Sequence, residues 1–128
     1  MVASQNTRVD FTIPATSYHN LAVYGKLMVG DKAVEFYNDK NIQDYIQIPW
    51  EEIREVSVSL MPGGKKVARF AIFINENAHF SFSTRNNKKT LQAINKHLAR
   101  DKFSVSPTFL GVVKAGLQGI WQKIRGKK

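Results

Sequence analysis

Glu51 and Glu52 are the first groups along the chain whose type suggests catalysis, because paired carboxylates can divide general acid and general base roles. They sit in Pro49-Trp50-Glu51-Glu52-Ile53, between two candidate strands, where adjacent side chains diverge rather than converge on one substrate. A connecting bend with Trp50 packed and both glutamates solvated accounts for the pattern. The histidines, His19, His79 and His97, show no His-x-x-x-His spacing. With no cysteine in the chain, neither a recognisable metal-ligand pattern nor a thiol nucleophile is present. His19, in Tyr18-His19-Asn20, lacks the glycine-rich or helix-start cradle that phosphohistidine chemistry needs. The residues therefore imply no catalytic site, metal or cofactor, and the chain is expected to bind rather than to catalyse.

Two segments could bind anions or partners. In Pro62-Gly63-Gly64-Lys65-Lys66, followed by Arg69, glycines let backbone N–H groups approach a ligand and the cations add charge. The spaced second glycine of a phosphate loop is missing, and a solvated hairpin tip whose lysines deter edge pairing is the competing reading. After Pro107, apolar residues fall at Leu110, Val113, Leu117, Ile120 and Ile124, a helical seam broadened by Phe109, Val112 and Trp121. Lys114, Gln118, Gln122, Lys123 and Arg125 lie mostly off that seam. Gly111, Gly116 and Gly119 each weaken the helix by up to about 1 kcal/mol, so it should form only against a surface. That surface is the domain's own body, an anionic membrane leaflet or a partner's groove. The candidate binding residues are thus Lys65, Lys66, Arg69, Lys114, Leu117, Ile120, Trp121, Lys123 and Arg125.

The charge distribution supports an anionic partner. Residues 1–64 carry five Lys/Arg against eight Asp/Glu, whereas residues 65–128 carry fourteen against two, within a net charge of +9. No acidic side chain follows Asp101. Such polarity suits nucleic acid, anionic lipid or an acidic protein face. At 128 residues and 43% hydrophobic content the chain is long enough for one domain with one core. No run of about 18 apolar residues spans a bilayer. The polar stretch Met1 to Asp10 does not resemble a secretory signal, so a cytoplasmic location is expected, peripheral at the membrane if the tail docks there.

The elements that position these residues read as strands, then a helix. Alternation marks a strand over Arg8–Ile13, interrupted at Pro14, and Gly25–Val29 and Ala33–Asn38 flank the tight-hairpin signal Gly30-Asp31-Lys32. Tyr45 to Ile48 forms a short strand that Pro49 ends. Ile53–Leu60 alternates with Val56, Val58 and Leu60 inward, and Val67–Ile74 reads as a strand buried on both faces. His79–Thr84 completes seven. Asn86 or Asn87 then caps a helix over about 87–99, with Leu91, Ile94 and Leu98 on its apolar face. Strands followed by a helix argue for a seven-stranded antiparallel, strongly bent sheet or barrel closed by that helix, the layout of pleckstrin-homology-like domains. Residues 1–101 would make the mainly β body and 102–128 a basic amphipathic helical tail.

Distinctive strings run through the chain: Tyr24-Gly25-Lys26-Leu27-Met28-Val29-Gly30-Asp31-Lys32, Glu35-Phe36-Tyr37-Asn38-Asp39, Ile46-Gln47-Ile48-Pro49-Trp50-Glu51-Glu52-Ile53, Arg69-Phe70-Ala71-Ile72 and Phe80-Ser81-Phe82-Ser83. Together they resemble the domain-of-unknown-function family 956 of Gram-positive bacteria, from Ser4 to about Gly119. The resemblance implies a context beside the mannose-class phosphotransferase permease and a label as regulator of the mannose operon; it carries no catalytic residue. The expectation is an accessory or regulatory module docking to permease subunits or to the anionic inner membrane surface. The alternative is a nucleic-acid-binding regulator of that operon, although no helix-turn-helix, RNA-recognition or zinc pattern is present. Pairing between copies through an open sheet edge is also compatible with the sequence.

Overall fold

Alternating side chains and tight turns produce one sheet, seen in a computed structural model that describes residues 3–18 and 21–106. The strands are β1 (Val9–Ser17), β2 (Val23–Gly30), β3 (Ala33–Asn38), β4 (Tyr45–Pro49), β5 (Glu55–Leu60), β6 (Val67–Phe73), β7 (His79–Thr84) and β8 (Phe103–Val105). The helix α1 (Asn87–Asn95) joins β7 to β8, with 3-10 turns at Trp50–Glu52 and Arg100–Lys102. The sheet order is β4-β3-β2-β1-β7-β6-β5-β8.

One face of this sheet is the core. Leu27, Val29, Val34, Phe36, Val56, Val58, Phe70, Ile72 and Phe82 are all buried on it. Phe36 on β3 and Phe82 on β7 have ring centroids 5.7 Å apart, although β2 and β1 lie between their strands. Three strand spacings in a flat sheet amount to about 14 Å, so the sheet curls until distant strands face each other. The helix covers the opening. Asn86 caps it by accepting from the Lys89 N–H at 3.1 Å, and Thr90, Ala93 and Ile94 are its buried residues.

Several expectations are corrected. The body is an eight-stranded mixed sheet rather than a seven-stranded antiparallel one: β8 lies parallel to β5, with Val56 opposite Phe103 and Val58 opposite Val105. Without β8 the outer edge of β5 would present a row of unpaired backbone groups. The chain returns along that edge, sends Phe103 and Val105 into the core, and donates Ser106 N–H to Val58 O at 2.7 Å. Pro14 does not end β1, which continues to Ser17. The missing N–H is tolerated, Pro14 O accepts from Arg85 N–H at 3.1 Å, and the pairing with β7 begins one residue later. On β6 only Phe70 and Ile72 are buried, while Arg69 is exposed, so that strand has one buried face. The α-helix ends at Asn95, and bonds from His97 and Leu98 N–H to Ile94 O tighten the last turn to bring Leu98 into the core.

The N-terminal residues form an arm over the outer face of β3. Glu35, only 1% exposed, accepts from Ser4 Oγ at 2.6 Å, Gln5 N–H at 2.7 Å and Asn6 Nδ2 at 3.1 Å. Asn6 Oδ1 accepts from the Lys32 and Ala33 N–H groups at 2.8 and 2.7 Å. A Cβ at Gly30 would lie 2.2 Å from Asn6 Cγ, so glycine there lets the arm seat.

Phe103→Ala is expected to lower the unfolding free energy by about 3–5 kcal/mol, the range for a buried phenylalanine, measured by urea denaturation. A loss below about 1 kcal/mol would mean that β8 adds nothing to the core.

Candidate binding surface

Five cations converge where β5 turns into β6 and β7 into α1. The β5–β6 turn is closed by Met61 N–H to Lys66 O and Gly64 N–H to Met61 O, both 2.8 Å. Gly63 and Gly64 take φ of 98° and 72°, the left-handed region that glycine alone enters without strain. This tight turn leaves Met61, Lys65 and Lys66 exposed. On the other side, Arg85 follows β7 and Lys88 and Lys89 occupy the first turn of α1, again exposed.

Asn87 ties the two sides together. Its Oδ1 accepts from Thr84 N–H at 2.7 Å and its Nδ2 donates to Val67 O at 3.0 Å and Ala68 O at 3.3 Å. Lys66 directly precedes Val67 and Lys88 directly follows Asn87, so this one amide holds both lysine pairs at the same end of the sheet. No acidic residue occurs between Glu55 and Glu76 or between Glu76 and Asp101. None of Lys65, Lys66, Arg85, Lys88 and Lys89 forms an ion pair with a carboxylate among the described residues. The first turn of α1 contains no acid either, although the positive end of a helix favours carboxylates. A shallow cleft of about 380 Å³ adjoins this end, lined by Pro14, Tyr24, Asp39, Ser83 and Arg85 among others. Asp39 in it is paired with Lys26 at 3.0 Å.

Of the residues singled out from the sequence, Lys65 and Lys66 belong to this cluster. Arg69 lies on the outer face of β6 with its guanidinium 4.5 Å from the centroid of the Tyr18 ring, a cation–π contact. Lys114, Leu117, Ile120, Trp121, Lys123 and Arg125, with the tail helix proposed to hold them, lie outside the described residues, as does His19. Sequence reasoning missed Arg85, Lys88, Lys89 and Met61. The acid-free runs on either side of Glu76 were the available signal.

The groups that could do acid–base work are scattered. Glu51 and Glu52 are exposed on their 3-10 turn, and His79 stacks on Phe73 at 4.7 Å. His97 stacks on Trp50 at 4.9 Å, and its Nε2 lies 3.0 Å from Asp10 Oδ2. Trp50 in turn donates Nε1–H to Gly30 O at 2.9 Å. The Arg8 guanidinium, then His97, hold the Asp10 carboxyl below its ordinary value; backbone N–H groups of Arg8 and Thr7 do the same for Asp31. Burial, reinforced by the charge of Glu35, pushes the Tyr37 hydroxyl up. No group of three or more His, Cys, Asp or Glu is placed to hold a metal among the described residues.

Two outcomes follow from these electrostatics. Lys88→Glu and Lys89→Glu are each expected to stabilise the fold by about 0.3–1 kcal/mol, because each puts an anion at the positive end of α1; thermal unfolding measures it. Asp10 has a depressed folded pKa, so its contribution to stability is present above about pH 4, its unfolded value, and lost as pH falls through the lower folded value. Asp10→Asn should therefore be less stable than the parent at neutral pH, with the gap closing on acidification.

Comparison with known proteins adds the family and the fold. No curated protein matches the sequence. Among solved structures, the C-terminal domain of an unknown protein from Leishmania infantum superimposes with a TM-score of 0.57 at 9% identity, covering 70% of this chain and 82% of that one. This likeness concerns the fold alone. The model of the family described as Domain of unknown function (DUF956) matches residues 1–117, and the chain belongs to that family.

Proposed function

We propose that this protein is a non-enzymatic accessory or regulatory module of the mannose-class phosphotransferase permease. It works in the cytoplasm, docking to permease subunits or to the anionic inner membrane surface through its basic second half. The observation that carries this reading is the convergence of Lys65, Lys66, Arg85, Lys88 and Lys89 at one end of the sheet without a carboxylate partner among the described residues. A surface of one sign concentrates partners of the other and speeds their encounter. Glu51 and Glu52 are solvated on their turn, His79 is stacked on Phe73, and His97 is stacked on Trp50 and paired with Asp10, an arrangement that favours binding over acid–base chemistry. The permease as partner follows from the family resemblance and its genomic context. No helix among the described residues is long and apolar enough to cross a membrane, and peripheral docking needs none.

Affinity capture of the full chain from detergent-solubilised membranes tests the reading. Permease subunits or anionic lipid should co-purify at about 0.1 M salt and be largely lost at about 1 M, where the screening length falls to about 3 Å. Recovery of neither at low salt would overturn it, as would a sequence-specific DNA complex that survives physiological salt.

A further inference from the structure

Among the exposed apolar side chains, Met61 has a distinctive setting. It is 45% exposed in the β5–β6 turn beside Pro62, and Lys65 and Lys66 follow within the same turn. Lys88 and Lys89 stand across the Asn87–Val67 hydrogen bond, with Arg85 just before the helix cap. Ile42 makes the contrast: it is 55% exposed, but its turn carries Asp39 and Asp44, which an anionic surface repels.

We propose that the β5–β6 turn and the start of α1 form a docking tip for anionic lipid, with Met61 entering the headgroup boundary and Lys65, Lys66, Arg85, Lys88 and Lys89 meeting lipid phosphates. The proposal rests on the reading above and narrows it to one place and one chemical class of partner. An apolar residue with two lysines in its own turn and three more cations at the same end of the sheet matches the two layers of a bilayer interface, acyl chains beneath and phosphates around. A nucleic acid offers phosphates and asks instead for stacking aromatics or arginines aimed at base edges. The Tyr18 ring carries the Arg69 guanidinium at 4.5 Å, and Tyr24, in the cleft beside Arg85, is a single exposed ring rather than a row of stacking platforms. Two backbone hydrogen bonds close the turn, so little conformational freedom is lost on insertion.

The test is co-sedimentation of the full chain with vesicles of phosphatidylcholine alone or with about 30 mol % phosphatidylglycerol, in about 0.1 M salt. The parent should partition onto the anionic vesicles and not the neutral ones. Each surface lysine contributes about five-fold to partitioning, so K65E/K66E and K88E/K89E should each reduce binding at least about 25-fold. K88E/K89E makes the sharper variant because it is expected to be more stable than the parent, so its loss cannot come from unfolding. Met61→Ser should reduce binding several-fold with the salt dependence unchanged, and Lys40→Glu, on the acidic β3–β4 turn, should leave it intact. Binding that survives both tip variants but is lost in K123E/R125E would overturn the tip while leaving membrane docking in place. Failure to bind anionic vesicles while permease subunits still co-purify would overturn the lipid partner alone. A single-stranded oligonucleotide that displaces the vesicles and depends on the same lysines would reassign the tip to nucleic acid. Loss of every interaction, with vesicles and permease alike, would remove the functional reading as well.

Discussion

A sheet with one apolar face has to cover that face, and in this chain it does so mainly by curling on itself. The contact of Phe36 with Phe82, across strands that are not neighbours, is the signature of that closure, and Phe70 packs on the same ring at 6.1 Å. The curl depends on close approaches. A Cβ at Gly25 would fall 2.0 Å from Tyr37 O and 2.9 Å from the Phe36 ring, so the β2–β3 pair can tighten there only around glycine. Where the curled sheet remains open, α1 and the tightened turn after it supply Ile94 and Leu98. Trp50 joins the two, hydrogen-bonded to Gly30 on β2 and stacked on His97 beyond the helix.

Seven strands were legible because several alternate over enough residues for one face to be recognised, and because the turns between the others carry the residues that turns require. Gly30-Asp31-Lys32 and Pro62-Gly63-Gly64 each fell where the chain reverses. β8 was not legible for a physical reason. Phe103-Ser104-Val105 is too short to show a period, and its pairing exists only because β5 would otherwise end the sheet as a bare edge. That condition depends on residues far away in sequence. Pro14 misled for a related reason: a proline costs a strand only the hydrogen bond its N–H would have made, and here the carbonyl still finds Arg85. The N-terminal arm was illegible because its anchor, Glu35, looks like an ordinary solvent-facing residue of an alternating strand. Its burial under Ser4, Gln5 and Asn6 is tertiary information.

The candidate surface was legible in amount and not in place. The sequence shows that positive charge accumulates in the second half, and it marks Lys65 and Lys66 as exposed on a turn. It does not show that Lys88, Lys89 and Arg85 share their end of the molecule. That convergence comes from antiparallel geometry, since the start of β6 and the end of β7 lie side by side, and from Asn87, whose side chain reaches the Val67 and Ala68 carbonyls.

Lysines at the start of a helix work against its dipole, and α1 has only nine residues, too few to be stable alone in water. The helix nonetheless holds because its energy comes from elsewhere: Ile94 and Thr90 are fully buried, and Thr90 bonds both Thr84 and the Asn86 carbonyl. Packing thus frees the first turn from having to stabilise itself, and charge can be placed there for another purpose. A surface under selection for stability alone would put an acid at Lys89, three residues after the Asn86 cap, where Glu commonly completes a capping box. Repulsion among the five cations is a cost to the free protein, and it is a cost that a bound anion would relieve.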